Sequence, residues 1–325
     1  MKKIVSFFGQ DNETQRMLNK HAEQYAAELG FDYKWIPHAN RSFKEYIQIM
    51  NEYDASIIDV ERFDDRVFSQ LNERHRLMVR FGVGYDSVDL KAASRWNIGI
   101  ARTAGANASA VAEMALSLLL AVKRHIVTYH QGILVDQWPS LYAHELFGST
   151  CGILGFGAIG QSFAKLLNGF ACRVLVYDYK QRSELVASFG AELANLDQIF
   201  READSVSIHL PLNQKTDGLV NADFLNLMKP GAVLVNTSRG KLICERDLID
   251  ALNSGALAGA GLDVFTEEPL PENSPLRKME NVVLTPHASG QTYESLQKTY
   301  EMAISHIDQF FNQGRRDMLL NRISE

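Results

Sequence analysis

At 325 residues the chain is long enough for two ordinary domains with well-buried cores. Its apolar share of 46% and charged share of 22% are those of a globular protein. A net charge of −6, spread along the chain, argues against the basic face that a nucleic-acid partner requires and against the cationic surface that docks on an anionic membrane.

The opening "MKKIVSFFGQDNE" carries two lysines, but its apolar run is too short for a signal peptide. The later stretch "MALSLLLAV" falls far short of the roughly 20 residues that cross a bilayer. Cys151, Cys172 and Cys244 have no metal-ligand spacing, and their odd number does not suggest a disulfide framework. The expectation is a reduced, cytoplasmic protein without a metal site.

In chain order, "KIVSFFG" reads as a strand and "NETQRMLNKHAEQYAAELG" as an amphipathic helix closed by Gly30. "DYKWIP" is another strand, and Ser42 with Glu45 forms a capping box ahead of "FKEYIQIM". "ASIIDV" and "RLMVRFG" are further strands. Strands alternating with helices imply parallel sheets covered on both faces. The periodicity then predicts one long apolar helix from Asn107 to His130. A second alternating series follows: "CGILGF", "RVLVYD", "SVSIHL", "AVLVNTS", "AGAGLDVF" and "NVVLTPH". A helix from about Thr292 to Gly314 ends the chain. The simplest architecture is α/β, two parallel-sheet units joined by a long helix.

"ILGFGAIG" places Gly155, Gly157 and Gly160 in the G-x-G-x-x-G pattern. The pattern alone is weak, but here it leaves a strand, opens a helix and leads to a second strand, which makes a βαβ unit. The glycines permit a tight turn, close approach to a pyrophosphate and helix–strand packing, and the helix N-terminus offers N–H groups to the phosphates. Asp178 ends the second strand about 20 residues on, where a carboxylate accepts from ribose hydroxyls and repels a 2′-phosphate. NAD is therefore expected over NADP, with Lys180 and Arg182 close enough to soften the preference.

Ligands of open α/β sheets sit beyond the carboxyl ends of the strands. Arg239, Glu268 and His287 all follow strand-like runs. Each alone reads as an ordinary loop residue. Together they suit reduction of a ketone, in which negative charge builds on the carbonyl oxygen. A histidinium donates the proton, a carboxylate on the other ring nitrogen orients it and raises its pKa, and a guanidinium grips a substrate carboxylate with two parallel bonds.

With "LGFGAIG…VYD", "HLPLNQKT", "VNTSRG", "GLDVFTEEPLP" and "TPHASG" in this order, the chain resembles the D-isomer-specific 2-hydroxyacid dehydrogenase family. "RFGVGYDSVDL" and "GANASAVAEMALSLLLA" extend the resemblance over nearly the whole chain. It implies that Arg239 binds substrate, that Glu268 partners the histidine and that His287 is the acid/base. It implies that Gly155, Gly157, Ala158, Ile159, Gly160 and Asp178 hold the dinucleotide, that Thr237 and Ser238 lie beside it, and that Asp263 contacts the nicotinamide carboxamide. Val83 and Gly84 are implied to receive the substrate carboxylate through their N–H groups.

The resemblance further implies two doubly wound parallel-sheet domains. A Rossmann NAD domain, residues 103–291, is inserted in a flavodoxin-like substrate domain, residues 1–102 plus 292–325, with the active site in the cleft. A homodimer through the NAD domain is implied, with the helix from Asn107 and the arm containing Trp138 as candidate contacts. The chain departs from the family's usual "NTPG" with "RTAG", which bears on the hinge. Where relatives that take phosphorylated substrates carry a cation, it reads "DVERFDDR", with Asp59 and Glu61 ahead of Arg62. Acidic groups repel a phosphate tail. The expected activity is NAD(H)-dependent reduction of a small 2-keto acid such as glyoxylate, hydroxypyruvate or pyruvate. The alternatives are phosphoglycerate dehydrogenase, an NAD(H)-sensing corepressor-like binding protein, and phosphite oxidation.

Overall fold

The computed structural model describes residues 1–37, 41–59 and 61–323. The polypeptide divides into two compact units, Met1–Asn107 with Gln291–Glu325, and Ala108–Gly290.

In the first unit the described residues form strands β1 (Lys2–Ser6), β2 (Phe31–Trp35), β3 (Ala55–Ile58), β4 (Leu77–Arg80) and β5 (Gly99–Arg102). Val60, at the end of the expected "ASIIDV" strand, lies outside the described residues. Helices α1 (Glu13–Glu28), α2 (Phe43–Met50), α3 (Asp65–Phe68) and α4 (Leu90–Arg95) connect the strands. All pairings are parallel, in the order β2-β1-β3-β4-β5, which is the flavodoxin-like arrangement. Asn12 caps α1, and Ser42 with Glu45 closes the capping box on α2. The strands bury both faces by alternation. Ile4, Leu77 and Val79 join one core, and Val5, Met78 and Ile100 join the other.

The second unit contains α5 (Ala108–Lys123), α6 (Ile126–Leu134), α7 (Ala158–Asn168), α8 (Ser183–Ser188), α9 (Leu196–Glu202), α10 (Ala222–Leu225) and α11 (Glu245–Ser254). Its strands are β6 (Thr150–Leu154), β7 (Arg173–Tyr177), β8 (Glu192–Leu193), β9 (Ser205–Ile208), β10 (Val233–Asn236), β11 (Gly259–Leu262) and β12 (Val282–Leu284). They form a parallel sheet in the order β12-β11-β10-β9-β6-β7-β8, with the Rossmann reversal between β6 and β9. The chain then returns to the first unit through α12 (Tyr293–Phe311), capped by Thr292 and packed on α1 and β4.

The expected single helix from Asn107 to His130 is two helices, and the first belongs wholly to the second unit. His125 stands between them in the left-handed conformation, with φ of 53°. The apolar period continues across the break, so the pattern gave no warning of it. The cause is tertiary: the Lys123 carbonyl receives the His144 N–H at 3.2 Å. Leu118, Leu119 and Val122 are buried, whereas Ile126, Ile133 and Leu134 are exposed.

Candidate functional site

Sheet register aligns the ends of the second unit's strands. Leu154 pairs with Tyr177 and Ile208, Ile208 with Asn236, Asn236 with Leu262, and Leu262 with Leu284. The residues one step beyond are therefore neighbours along one edge: Asp178, Gly155, His209, Thr237, Asp263 and Thr285. Several expected site residues, scattered over more than a hundred positions of sequence, meet along this row.

At the reversal between β6 and β9, Gly155 has φ of 100°, and a Cβ on it would stand 2.6 Å from the His209 carbonyl oxygen. A Cβ on Gly160 would stand 2.1 Å from the Gly155 carbonyl oxygen, so the helix start can lie against the turn only without side chains. Gly157 is the N-cap of α7 and brings no side chain to the N–H groups that begin at Ala158 and Ile159. Beside this loop, His209 Nδ1 and Thr237 Oγ1 are buried without a hydrogen-bond partner among the described residues. Burial holds the His209 imidazole neutral, with its pKa lowered to about 3, and its Nε2 pairs with Ser207 Oγ at 2.9 Å. A glycine cradle with an uncapped helix and orphaned polar atoms fits a bound dinucleotide. Asp178 is buried and accepts Arg182 Nε–H at 2.8 Å, while Arg182 Nη2 donates to the Phe156 carbonyl at 2.7 Å. Arg182 is thus tied to the carboxylate expected to read the ribose, and Lys180 is exposed.

After β10, the fully buried Asn236 shapes the next loop. Its Nδ2 donates to the Arg239 carbonyl at 2.9 Å, and its Oδ1 accepts the Ser238 N–H at 3.0 Å. Ser238 Oγ donates to the Ile208 carbonyl at 2.9 Å, and Arg239 Nη1 to the Ser238 carbonyl at 2.7 Å. Gly240 packs so tightly that a Cβ would stand 1.9 Å from the Phe265 carbonyl carbon. This missing side chain brings the Arg239 loop onto the Phe265–Glu268 loop. Glu268 Oε1 accepts the Phe265 N–H at 2.9 Å, and Oε2 meets His287 Nδ1 at 2.7 Å. Burial opposes ionisation of Glu268. The bonds from His287 and the Phe265 N–H, with the charges of His287 and Arg239, outweigh it and hold the carboxyl below its usual range.

His287 has φ of 53°, a conformation that costs a residue with a Cβ about 1–2 kcal/mol. Its N–H donates to the Asp263 carbonyl at 2.8 Å. Sequence reasoning passed over Asn236, His209, Thr285 and Ser289. Their signal was position alone, each lying in a motif at or just beyond a strand end.

The expected substrate loop lies in the first unit, after β4. Gly82 N–H donates to Thr103 Oγ1 at 2.7 Å, and Arg102 Nη1 donates to the Val83 carbonyl at 3.0 Å while stacking over Tyr85. Arg102, a departure from the usual motif, thus braces the loop of Val83 and Gly84. Asp59 pairs with the buried Arg80 at 3.6 Å, so its charge is partly compensated. The Arg62 side chain is 78% exposed and lies 3.8 Å from Asp64, turned to its own loop.

Residues 116–289 match the model for the D-isomer specific 2-hydroxyacid dehydrogenase, NAD binding domain. The chain is 34% identical over 303 residues to a glyoxylate reductase of Korarchaeum cryptofilum, covering 91% of this chain and 90% of that protein. The chain belongs to the D-isomer specific 2-hydroxyacid dehydrogenase family. Among solved structures, the TT0316 protein of Thermus thermophilus superposes with a TM-score of 0.85 at 28% identity, covering 98% of this chain and 99% of that one. A NAD-dependent formate dehydrogenase of Staphylococcus aureus in complex with NAD gives a TM-score of 0.83 at 28% identity, covering 99% and 100%. As a 2-hydroxyacid dehydrogenase this protein is an oxidoreductase acting on 2-hydroxy acids, with NAD as cofactor. Among the described residues no helix is long and apolar enough to cross a membrane.

Proposed function

We propose that this 2-hydroxyacid dehydrogenase works as a reductase of small, unphosphorylated 2-keto acids, of which glyoxylate, hydroxypyruvate and pyruvate are the nearest in size. Bound NADH would supply the hydride for reduction at C2. His287 gives its proton to the C2 oxygen, and a 2-hydroxy acid results. With Nδ1 committed to Glu268, Nε2 is the ring nitrogen that makes the transfer. Glu268 orients the imidazole, and Arg239 grips the substrate carboxylate and polarises the ketone. The N–H groups of Val83 and Gly84 are further proposed to take part in binding substrate. Gly155, Gly157, Ala158, Ile159 and Gly160 cradle the pyrophosphate, Asp178 reads the ribose, and Thr237, Ser238 and Asp263 flank the nicotinamide.

The observation that carries this reading is the 2.7 Å contact between His287 and a Glu268 held ionised by its neighbours. A relative named glyoxylate reductase supports the substrate class. Asp59 and Glu61 ahead of Arg62 favour a substrate without phosphate. The test is oxidation of NADH and NADPH over a panel of keto acids, with wild type, His287→Asn and Asp178→Ala. Wild type should turn over with NADH, and His287→Asn should lose about 10²–10⁴-fold in kcat. Asp178→Ala should narrow the preference for NADH. Undiminished turnover by His287→Asn, or better oxidation of 3-phosphoglycerate than of glycerate with NAD in the reverse assay, would overturn it.

The protein is further proposed to act as a homodimer. Ile133, Leu134, Val135, Trp138 and Tyr142 are each exposed within one segment, with Trp138 at 88%. A lone globular chain rarely leaves such a segment to water. The free thiols of Cys151, Cys172 and Cys244 suit the reducing cytoplasm as its location.

A further inference from the structure

Asp263 follows β11 and is completely buried. Its Oδ1 accepts Thr285 Oγ1–H at 2.6 Å and the Ala288 N–H at 2.8 Å. Its Oδ2 accepts the Ser289 N–H at 2.9 Å and also the Ser289 hydroxyl. A carboxylate has about four acceptor sites, and all four donors here come from one five-residue loop, Thr285 to Ser289. The Asp263 carbonyl takes a fifth donor from the same loop, the N–H of His287 at 2.8 Å. His287 sits at the loop's middle with φ of 53°. Register makes the arrangement possible, since pairing of Leu262 with Leu284 sets Asp263 beside Thr285.

We infer that Asp263, Thr285 and Ser289 form a cage that fixes the His287 loop, so that all three are positioning residues for the proton donor. The inference rests on the reading of His287 as acid/base. Without the cage the histidine can leave its left-handed conformation, and the imidazole then loses its register with Glu268. The loop donors matter as much as the aspartate, because each carboxylate oxygen holds one donor from the Ala288–Ser289 end together with a second from a side chain. Asp263→Asn would turn one acceptor into a donor facing two donors. Ser289→Ala and Thr285→Val each remove a single bond and leave Asp263 intact.

The test compares Asp263→Asn, Ser289→Ala, Thr285→Val and the conservative Ser289→Thr. Turnover is measured across pH with NADH and glyoxylate. The His287 ring signals are recorded by proton–nitrogen NMR in the cofactor-free protein. A misplacement on the order of 1 Å costs about 10²-fold in rate, so Asp263→Asn should lose kcat on that scale. Ser289→Ala and Thr285→Val should lose smaller factors, and Ser289→Thr should recover most of the loss. KM for NADH should stay near wild type in Ser289→Ala and Thr285→Val, the pH–rate profile should move, and the ring signals should broaden or double. A raised KM for NADH with unmoved ring signals and silent Ser289→Ala and Thr285→Val would overturn the cage in favour of a contact with the nicotinamide alone. If Asp263→Asn does not fold, the two loop variants decide the matter by the same criteria. The ring signals report on the cage even if His287→Asn stays active, so failure of the acid/base reading is seen separately.

Discussion

Gly240→Ala tests how the site is assembled without altering any group proposed to do chemistry. The added Cβ would stand 1.9 Å from the Phe265 carbonyl carbon, 2.1 Å from its oxygen and 2.4 Å from the Thr266 nitrogen. Relaxed contact lies near 3.5 Å, so the two loops must part by on the order of 1.5 Å. All three clashing atoms are backbone, which cannot swing aside as a side chain can. Overpacking of this kind costs about 1–3 kcal/mol in stability. The larger effect is on rate. Arg239 precedes Gly240, and Glu268 closes the loop that is pushed away. A displacement of about 1 Å between reacting groups costs about 10²-fold, equivalent to about 2.7 kcal/mol of barrier. The assay is kcat/KM for glyoxylate with NADH, run beside a thermal melt and a titration with NADH. The expected result is a fall of about 10²-fold or more in kcat/KM, a melting temperature a few degrees lower, and NADH affinity close to wild type. Wild-type turnover together with a wild-type melt would refute the argument that this glycine sets the distance between the two loops.

A buried histidine and an exposed tryptophan give two more tests. Burial lowers the pKa of His75 to about 4, against an unfolded value near 6.5. The unfolded chain therefore takes up that proton first, so stability is full above about pH 6.5 and falls as pH drops towards about 4, by on the order of 3 kcal/mol. Urea unfolding of wild type and His75→Gln across this window should give a flatter slope for the variant, and identical slopes would count against the assignment. Trp138→Asp places a charge in the exposed segment. Sedimentation should show a dimer for wild type and a shift towards monomer for the variant, and a monomeric wild type would remove the proposed interface.

Much of this protein was set by the sequence alone, because the signals involved are local. Alternating Val, Ile and Leu runs with intervening amphipathic segments specified parallel sheets, since both faces must be buried. The G-x-G-x-x-G turn and the capping box at Ser42 and Glu45 each depend on a few adjacent residues, and the structure carries both as read. What only the tertiary structure decided depends on groups far apart in the chain. The helix expected through His130 breaks at His125 because His144 binds the Lys123 carbonyl. Arg182 is drawn onto Asp178 with the Phe156 carbonyl as its second anchor. Glu268 reaches His287 across 19 positions, and Asp263 gathers the histidine loop across 22 to 26. Those meetings follow from the register of β10, β11 and β12, and register is a property of the assembled sheet that no single strand encodes.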